Sequence, residues 1–179
     1  MAETLRSQVW IGRGLFAALA LTIIFAHLLP LGMEPSVWAP PDILLAATLA
    51  WVARRPDYAP VVLITGIFLL TDFLFQRPPG LWAGLVVILT EVIRSRTGDI
   101  RNMPLMLEWG TVATGIVAIT LANRAMLTLA MTPQAPLGLT LIQMIMTILA
   151  YPFVVVVAHF AFGVTRTAPG QVNALGQKL

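Results

Sequence analysis

The chain has 179 residues, of which 58% are apolar and only 11% charged, with a mean hydropathy of +0.86. Soluble domains carry about a quarter charged residues, so this composition excludes an ordinary soluble protein and points to one integral membrane domain over residues 1–179. The net charge is +3 and there is no cysteine, which excludes disulfides and thiolate metal sites; the arginines sit in short segments between apolar runs, a topology signal and not a nucleic-acid footprint.

Residues 1–13 form a polar lead with Arg6 and Arg13, and an apolar run follows, predicting a first span over residues 11–31. A basic lead before an apolar core also describes a signal peptide. Five more spans follow and no small-residue cleavage site closes the run, so a retained helix is expected. Gly14 and Ala18 on it have the small-xxx-small spacing that lets helices approach closely. Residues 30–41 read as a turn-rich loop with Glu34. The second span is predicted over residues 38–53, ending at Arg54-Arg55-Pro56, and the third over residues 58–76. The fourth, residues 81–93, reaches only about 20 Å against a hydrocarbon core of about 30 Å. The break at Pro78-Pro79-Gly80 is therefore expected within the membrane's depth, where non-helical backbone must be buried in protein or face water. Residues 94–102 are the most charged segment. The fifth span is predicted over residues 107–131. An uncharged loop leads into the sixth, residues 138–164, where Tyr151-Pro152 predicts a kink. The tail after Thr165 is polar and expected to be mobile.

Alternate ends of these spans separate by charge. Arg6, Arg13, Arg54, Arg55, Arg94, Arg96, Arg101, Arg166 and Lys178 fall on one side, and Arg77 and Arg124 towards the other. The positive-inside rule then places both termini in the cytoplasm. Trp10, Trp38, Trp51, Trp82 and Trp109 lie near span ends, where aromatic belts are expected. No internal repeat is visible, which argues against an inverted-repeat transporter.

The segment over residues 71–80, T-D-F-L-F-Q-R-P-P-G, sets the main chemical question, because a carboxylate inside lipid is held by a partner or faces a wet cavity. Asp72 reads either as a buried polar anchor for a partner helix or as a local pair with Gln76 or Arg77. Arg124 reads as a partner for Asp72 or as a side chain snorkelling to the headgroups. Glu91 is expected to pair with Arg94, and Glu108 to complement the N-terminal dipole of the fifth helix. His27 and His159 fall at opposite membrane faces and cannot share a metal. No serine lies near a span centre, and neither H-E-x-x-H nor a phosphate-binding glycine loop occurs. No catalytic residue, metal or cofactor is assigned, and a non-enzymatic protein is expected. Gly80 and Gly84 form a G-x-x-x-G after the proline break, packing on the third helix or receiving a partner's helix between Leu81 and Trp82.

Asp72, Phe75, Pro79, Gly80 and Leu81, spaced D-x-x-F-x-x-x-P-G-L, resemble the signature of the bacterial rod shape-determining MreD family, in its alphaproteobacterial form. Pro41-Asp42-Ile43-Leu44-Leu45-Ala46 and the turn Arg54-Arg55-Pro56-Asp57 add to the resemblance, which covers nearly the whole chain. The usual Pro-Leu-Gly of the motif is Pro78-Pro79-Gly80 here, with Pro79 at the leucine position, stiffening the corner. The resemblance implies an all-α, six-span fold similar to the S components of energy-coupling-factor transporters. It implies a scaffold role in the bacterial inner membrane, in side-wall peptidoglycan synthesis and cell shape. The implied partners are MreC directly, and RodA, a class B penicillin-binding transpeptidase and MreB within the complex. The partner site expected on this basis is Asp72, Phe75, Pro79, Gly80, Leu81, Trp82 and Gly84. The alternatives are a vitamin-binding S component, weakened by the few polar groups of the outer loops, and a binder of a lipid-linked precursor.

Overall fold

A computed structural model describes residues 2–29, 39–96 and 105–162, which form six α-helices and one 3-10 turn, with no strand among them. The helices are α1 (Ala2–Leu28), α2 (Ile43–Arg54), α3 (Val61–Leu74), α4 (Leu81–Ser95), α5 (Leu105–Leu129) and α6 (Leu137–Phe162), and the turn is Pro56–Tyr58. Each predicted span overlaps one helix. Three are long and apolar enough to cross a membrane, over Ser7–Leu28, Leu105–Leu129 and Leu137–Phe160, while α2 and α3 are shorter apolar helices. Most of the expected loop over residues 30–41, with Glu34 and Trp38, lies outside the described residues, as do the charged segment beyond Arg96 and the tail after Thr165.

Local chemistry explains where the helices differ from the predicted bounds. The polar lead joins α1, since no glycine or proline interrupts residues 2–11. The second helix begins later than predicted, because Pro40-Pro41 precede it and Asp42 caps it, its Oδ1 accepting from the Leu45 N–H at 2.9 Å. It ends at Arg54, since Arg55 precedes Pro56 and leaves the helical conformation, at φ −142° and ψ 70°. Pro60 is the N-cap of α3. Pro152 lies inside α6, and the helix continues on either side of it.

The shortest of the six, α2, is buried along residues 44–53 on every face. It packs on α6, α4 and α1, and the succession α1–α3–α4–α5–α6 surrounds it, with α3 on α4, α4 on α5 and α5 on α6. Twelve residues span about 18 Å, too little to cross a hydrocarbon core alone. Its ends are nevertheless closed within protein, by Asp42 at one and Arg54 at the other, which is how a short helix is accommodated at depth. The outer faces of the long helices are apolar instead: Ile11, Leu21 and Phe25 on α1, Leu121 and Leu129 on α5, and Ile145, Phe153 and Phe160 on α6 are exposed, as hydrocarbon surroundings require.

Close approach to the α2–α3 turn falls on Gly12, not on the predicted Gly14 and Ala18. A Cβ at Gly12 would come within 2.5 Å of the Tyr58 ring, whereas Gly14 has open space around it. Gly12, Phe16, Ala20 and Ile24, one helical turn apart, are the buried stripe of α1; Gly14 and Ala18 are exposed.

Candidate functional site

The corner between α3 and α4 is built around Asp72. Gly80 is the N-cap of α4, has φ +85° and carries no side chain to accept from the helix's free N–H groups. Asp72 supplies that acceptor from the last turn of α3: its Oδ2 accepts from Gly80 N at 3.0 Å and Ala83 N at 3.2 Å. The carboxylate is fully buried. The expected pairings with Gln76, Arg77 or Arg124 do not form among the described residues, where the ion pairs are Arg54–Glu108 and Arg94–Glu91. The positive end of α4 holds the acid in place of a cationic side chain. The chain turns through Gln76, at φ 54°, and the Arg77 N–H donates to the Asp72 carbonyl at 2.9 Å. Arg77 itself lies over the rings of Phe75 and Trp82.

Of the seven residues expected to meet a partner, the corner presents only some outward. Pro79 and Gly84 are exposed and Phe75, Gly80 and Leu81 half-buried. Nothing lies within 4 Å of where a Gly84 Cβ would be, so Gly84 is not packed on α3; at Gly80 the nearest atom is Leu69 Cδ2, at 3.9 Å. Gly84 and Ile88 share one exposed face of α4. Trp82 departs from expectation. It is buried among the helices and flanks no outward groove, because residues 82, 83 and 86 form the inward face of α4. Trp51 is buried too, against Phe16; these two tryptophans are core residues and not belt residues. Trp10 is exposed, and Trp109 donates its Nε1–H to the Ile148 carbonyl at 2.9 Å.

Behind the corner lies a cavity of about 280 Å³, bounded by the start of α2, the α3–α4 turn, the last part of α5 and the first part of α6. Its polar wall includes Asp42, Arg77, Asn123, Arg124, Gln143 and Thr147. A second cavity of about 270 Å³, between α1, α2 and α3, shares Asp42, Arg77, Trp82 and Gln143 with it. Arg124 neither pairs with Asp72 nor reaches away from the protein: its Nη1 donates to Ala135 O at 3.2 Å and Thr140 Oγ1 at 3.1 Å, tying the α5–α6 loop to α5. The signal for this cavity was present in the sequence and missed. Thr120 and Asn123 on α5, and Thr140, Gln143 and Thr147 on α6, are polar residues at helical spacing that line one space.

A second polar cluster occupies the opposite end. Glu108 is buried, and it does more than complement a dipole: the Tyr151 hydroxyl donates to its Oε1 at 2.8 Å, and Arg54 Nη2 reaches Oε1 and Oε2 at 3.3 and 3.4 Å. The cluster joins α2, α5 and α6. Arg54 and Tyr151 were not singled out from the sequence, where each has an ordinary local explanation. Glu91 pairs with Arg94 at 2.8 Å, as its spacing predicted. Arg94 also donates to the carbonyls of Pro56 at 3.0 Å and Ala59 at 2.7 Å, clasping the α2–α3 turn to α4. His27, beside Phe75, and His159, edge-on to Phe160, are exposed in the last turns of α1 and α6 and lie at opposite ends of the bundle.

Comparisons with protein-family models, with curated proteins and with solved structures find no match to this chain.

Proposed function

We propose that the chain is a non-catalytic membrane scaffold of the MreD type, docking an MreC-type bitopic partner on the corner between α3 and α4. It would act in side-wall peptidoglycan synthesis with RodA, a class B penicillin-binding transpeptidase and MreB. In this reading all six helices span the bacterial inner membrane, in an arrangement similar to the S components of energy-coupling-factor transporters, with both termini on the arginine-rich cytoplasmic side. The basis is the sequence resemblance carried by residues 72–81.

One structural observation supports the docking face above others. Gly84 is bare and exposed beside a corner whose backbone is locked by Asp72 from within. A helix without a side chain at that point admits another helix backbone closely, and a fixed corner lowers the ordering cost of association. Asp72 would then act through the backbone it holds, while Pro79, Gly84 and the half-buried Phe75 make the contact.

Co-purification of the MreC-type partner with Gly84→Leu tests the reading. The variant is expected to keep its own thermal stability and to recover several-fold less partner. Full recovery with Gly84→Leu removes this face from the interface.

A further inference from the structure

Two arginines stand against one carboxylate, Asp42, on the wall of the cavity behind the corner. Arg77 and Arg124 both line it, and neither meets a carboxylate within ion-pair distance among the described residues. Arg124 uses Nη1 for the α5–α6 loop, and Arg77 is held on aromatic faces. The one acid on the wall, Asp42, already accepts from Leu45 N through Oδ1. A further donor is unused: Trp82 is nine-tenths buried, lines both cavities, and its Nε1 has no hydrogen-bond partner. Buried donors are normally satisfied, so an orphan N–H beside a cavity marks a missing acceptor.

We propose that this cavity binds an oxyanion of the phosphate class, held by Arg77 and Arg124 with the Trp82 N–H as a third donor. Guanidinium forks match the oxygens of phosphate, and charge-assisted hydrogen bonds are the strong ones in a partly desolvated site. Gln76, Asn123 and Gln143 offer neutral donors for the rest of the ligand. At about 280 Å³ the space lies at the small end of ligand sites, suited to a compact headgroup or a small phosphate ester. The anion is supplied either by a phospholipid headgroup or by a soluble phosphate, and the chemistry of the site is the same for both. Gly84 and Pro79 of the docking face do not line this cavity, and the two sites meet only where Arg77 lies over Phe75, so Gly84→Leu and Arg124→Gln test them separately.

The test uses the full chain in lipid nanodiscs at fixed ionic strength, reading the unfolding midpoint and the apparent affinity. One arm titrates inorganic phosphate into discs of zwitterionic phosphatidylcholine; the other replaces part of that lipid with anionic phosphatidylglycerol. At least one arm is expected to raise the midpoint by roughly 5–10 °C when the ligand stands about 100-fold above its dissociation constant. Arg77→Gln and Arg124→Gln should each remove most of that rise. Arg96→Gln, which removes the same charge at the opposite end, should keep it. Trp82→Phe keeps an aromatic side chain, removes the N–H together with the pyrrole part of the indole, and should weaken binding at least about tenfold, the size of one hydrogen bond. A response to phosphate identifies a soluble ligand, and a response to phosphatidylglycerol alone identifies a headgroup. No response in either arm overturns the proposal, and so does a response that the arginine and Trp82→Phe variants share undiminished with the parent.

Discussion

Asp72 shows how one side chain can set the geometry of a corner without touching anything outside it. Gly80 is needed for its left-handed backbone, which leaves the N-cap of α4 without an acceptor, and Asp72 supplies one from α3. Asp72→Ala should destabilise the protein by about 2–3 kcal/mol, the worth of hydrogen bonds to a charged acceptor. Asp72→Asn, which keeps an acceptor oxygen, should lose about half as much, and thermal unfolding in detergent separates the two. If partner binding falls with Asp72→Ala in proportion to stability while Gly84→Leu leaves stability intact, the acid acts through the backbone. The Glu108 cluster carries larger stakes. Glu108→Ala leaves Arg54 largely buried without its carboxylate and should cost about 3–5 kcal/mol. Tyr151→Phe should cost about 1–2 kcal/mol, because Arg54 still holds the acid. A double-mutant cycle between Arg54→Ala and Glu108→Ala should return a coupling above about 1 kcal/mol, and additive effects would mean that the pair contributes nothing.

Among the elements, α2 is the one whose length only makes sense in context. Its alanines and leucines are all buried, and its polar ends are closed by Asp42 and by the Arg54–Glu108 pair. The turn that follows is held from two sides: Arg94 on α4 donates to Pro56 O and Ala59 O, and Arg13 on α1 donates to Asp57 O at 3.1 Å. Gly12 completes this junction by admitting the Tyr58 ring against α1. Gly12→Leu should therefore destabilise by about 1–3 kcal/mol as the ring is displaced. Gly14→Leu, two residues away in open space, should change stability by less than about 0.5 kcal/mol. Equal effects at the two glycines would show that α1 is not seated as described.

At the scale of the whole molecule, the two polar regions divide the bundle into unlike ends. One is clasped by the buried Arg54–Glu108 pair and the more exposed Arg94–Glu91 pair, and the other is open around a cavity with two arginines. The absence of native cysteine makes this division directly measurable. Single cysteines at the exposed positions Ser95 and Ala135, introduced as Ser95→Cys and Ala135→Cys, should react with an impermeant maleimide from opposite sides of sealed vesicles. Labelling of both from one side would refute the proposed six-span topology.

How much of this was legible in the chain depends on the range of the interaction. Each predicted span overlapped a helix because apolar runs broken by proline, glycine and arginine report on the backbone within a few residues. The Glu91–Arg94 pair was readable for the same reason, at one helical turn. The cap on α4 was not: it joins Asp72 to Ala83 across a reversal of the chain, and neighbouring Arg77 offered a plausible local partner that the fold did not use. Trp51 and Trp82 looked like interfacial residues by position along their helices, and turned inward because α2 and the inner face of α4 are core. Apolar composition and the lengths of the apolar runs determined that the chain would be a bundle of apolar helices. Only the packing of α2, α5 and α6 could decide that Arg54, Glu108 and Tyr151 meet, and only the gap left beside that packing could bring Arg77, Trp82 and Arg124 to one cavity, since hydrogen bonds and charges act over a few ångströms whatever the distance in sequence.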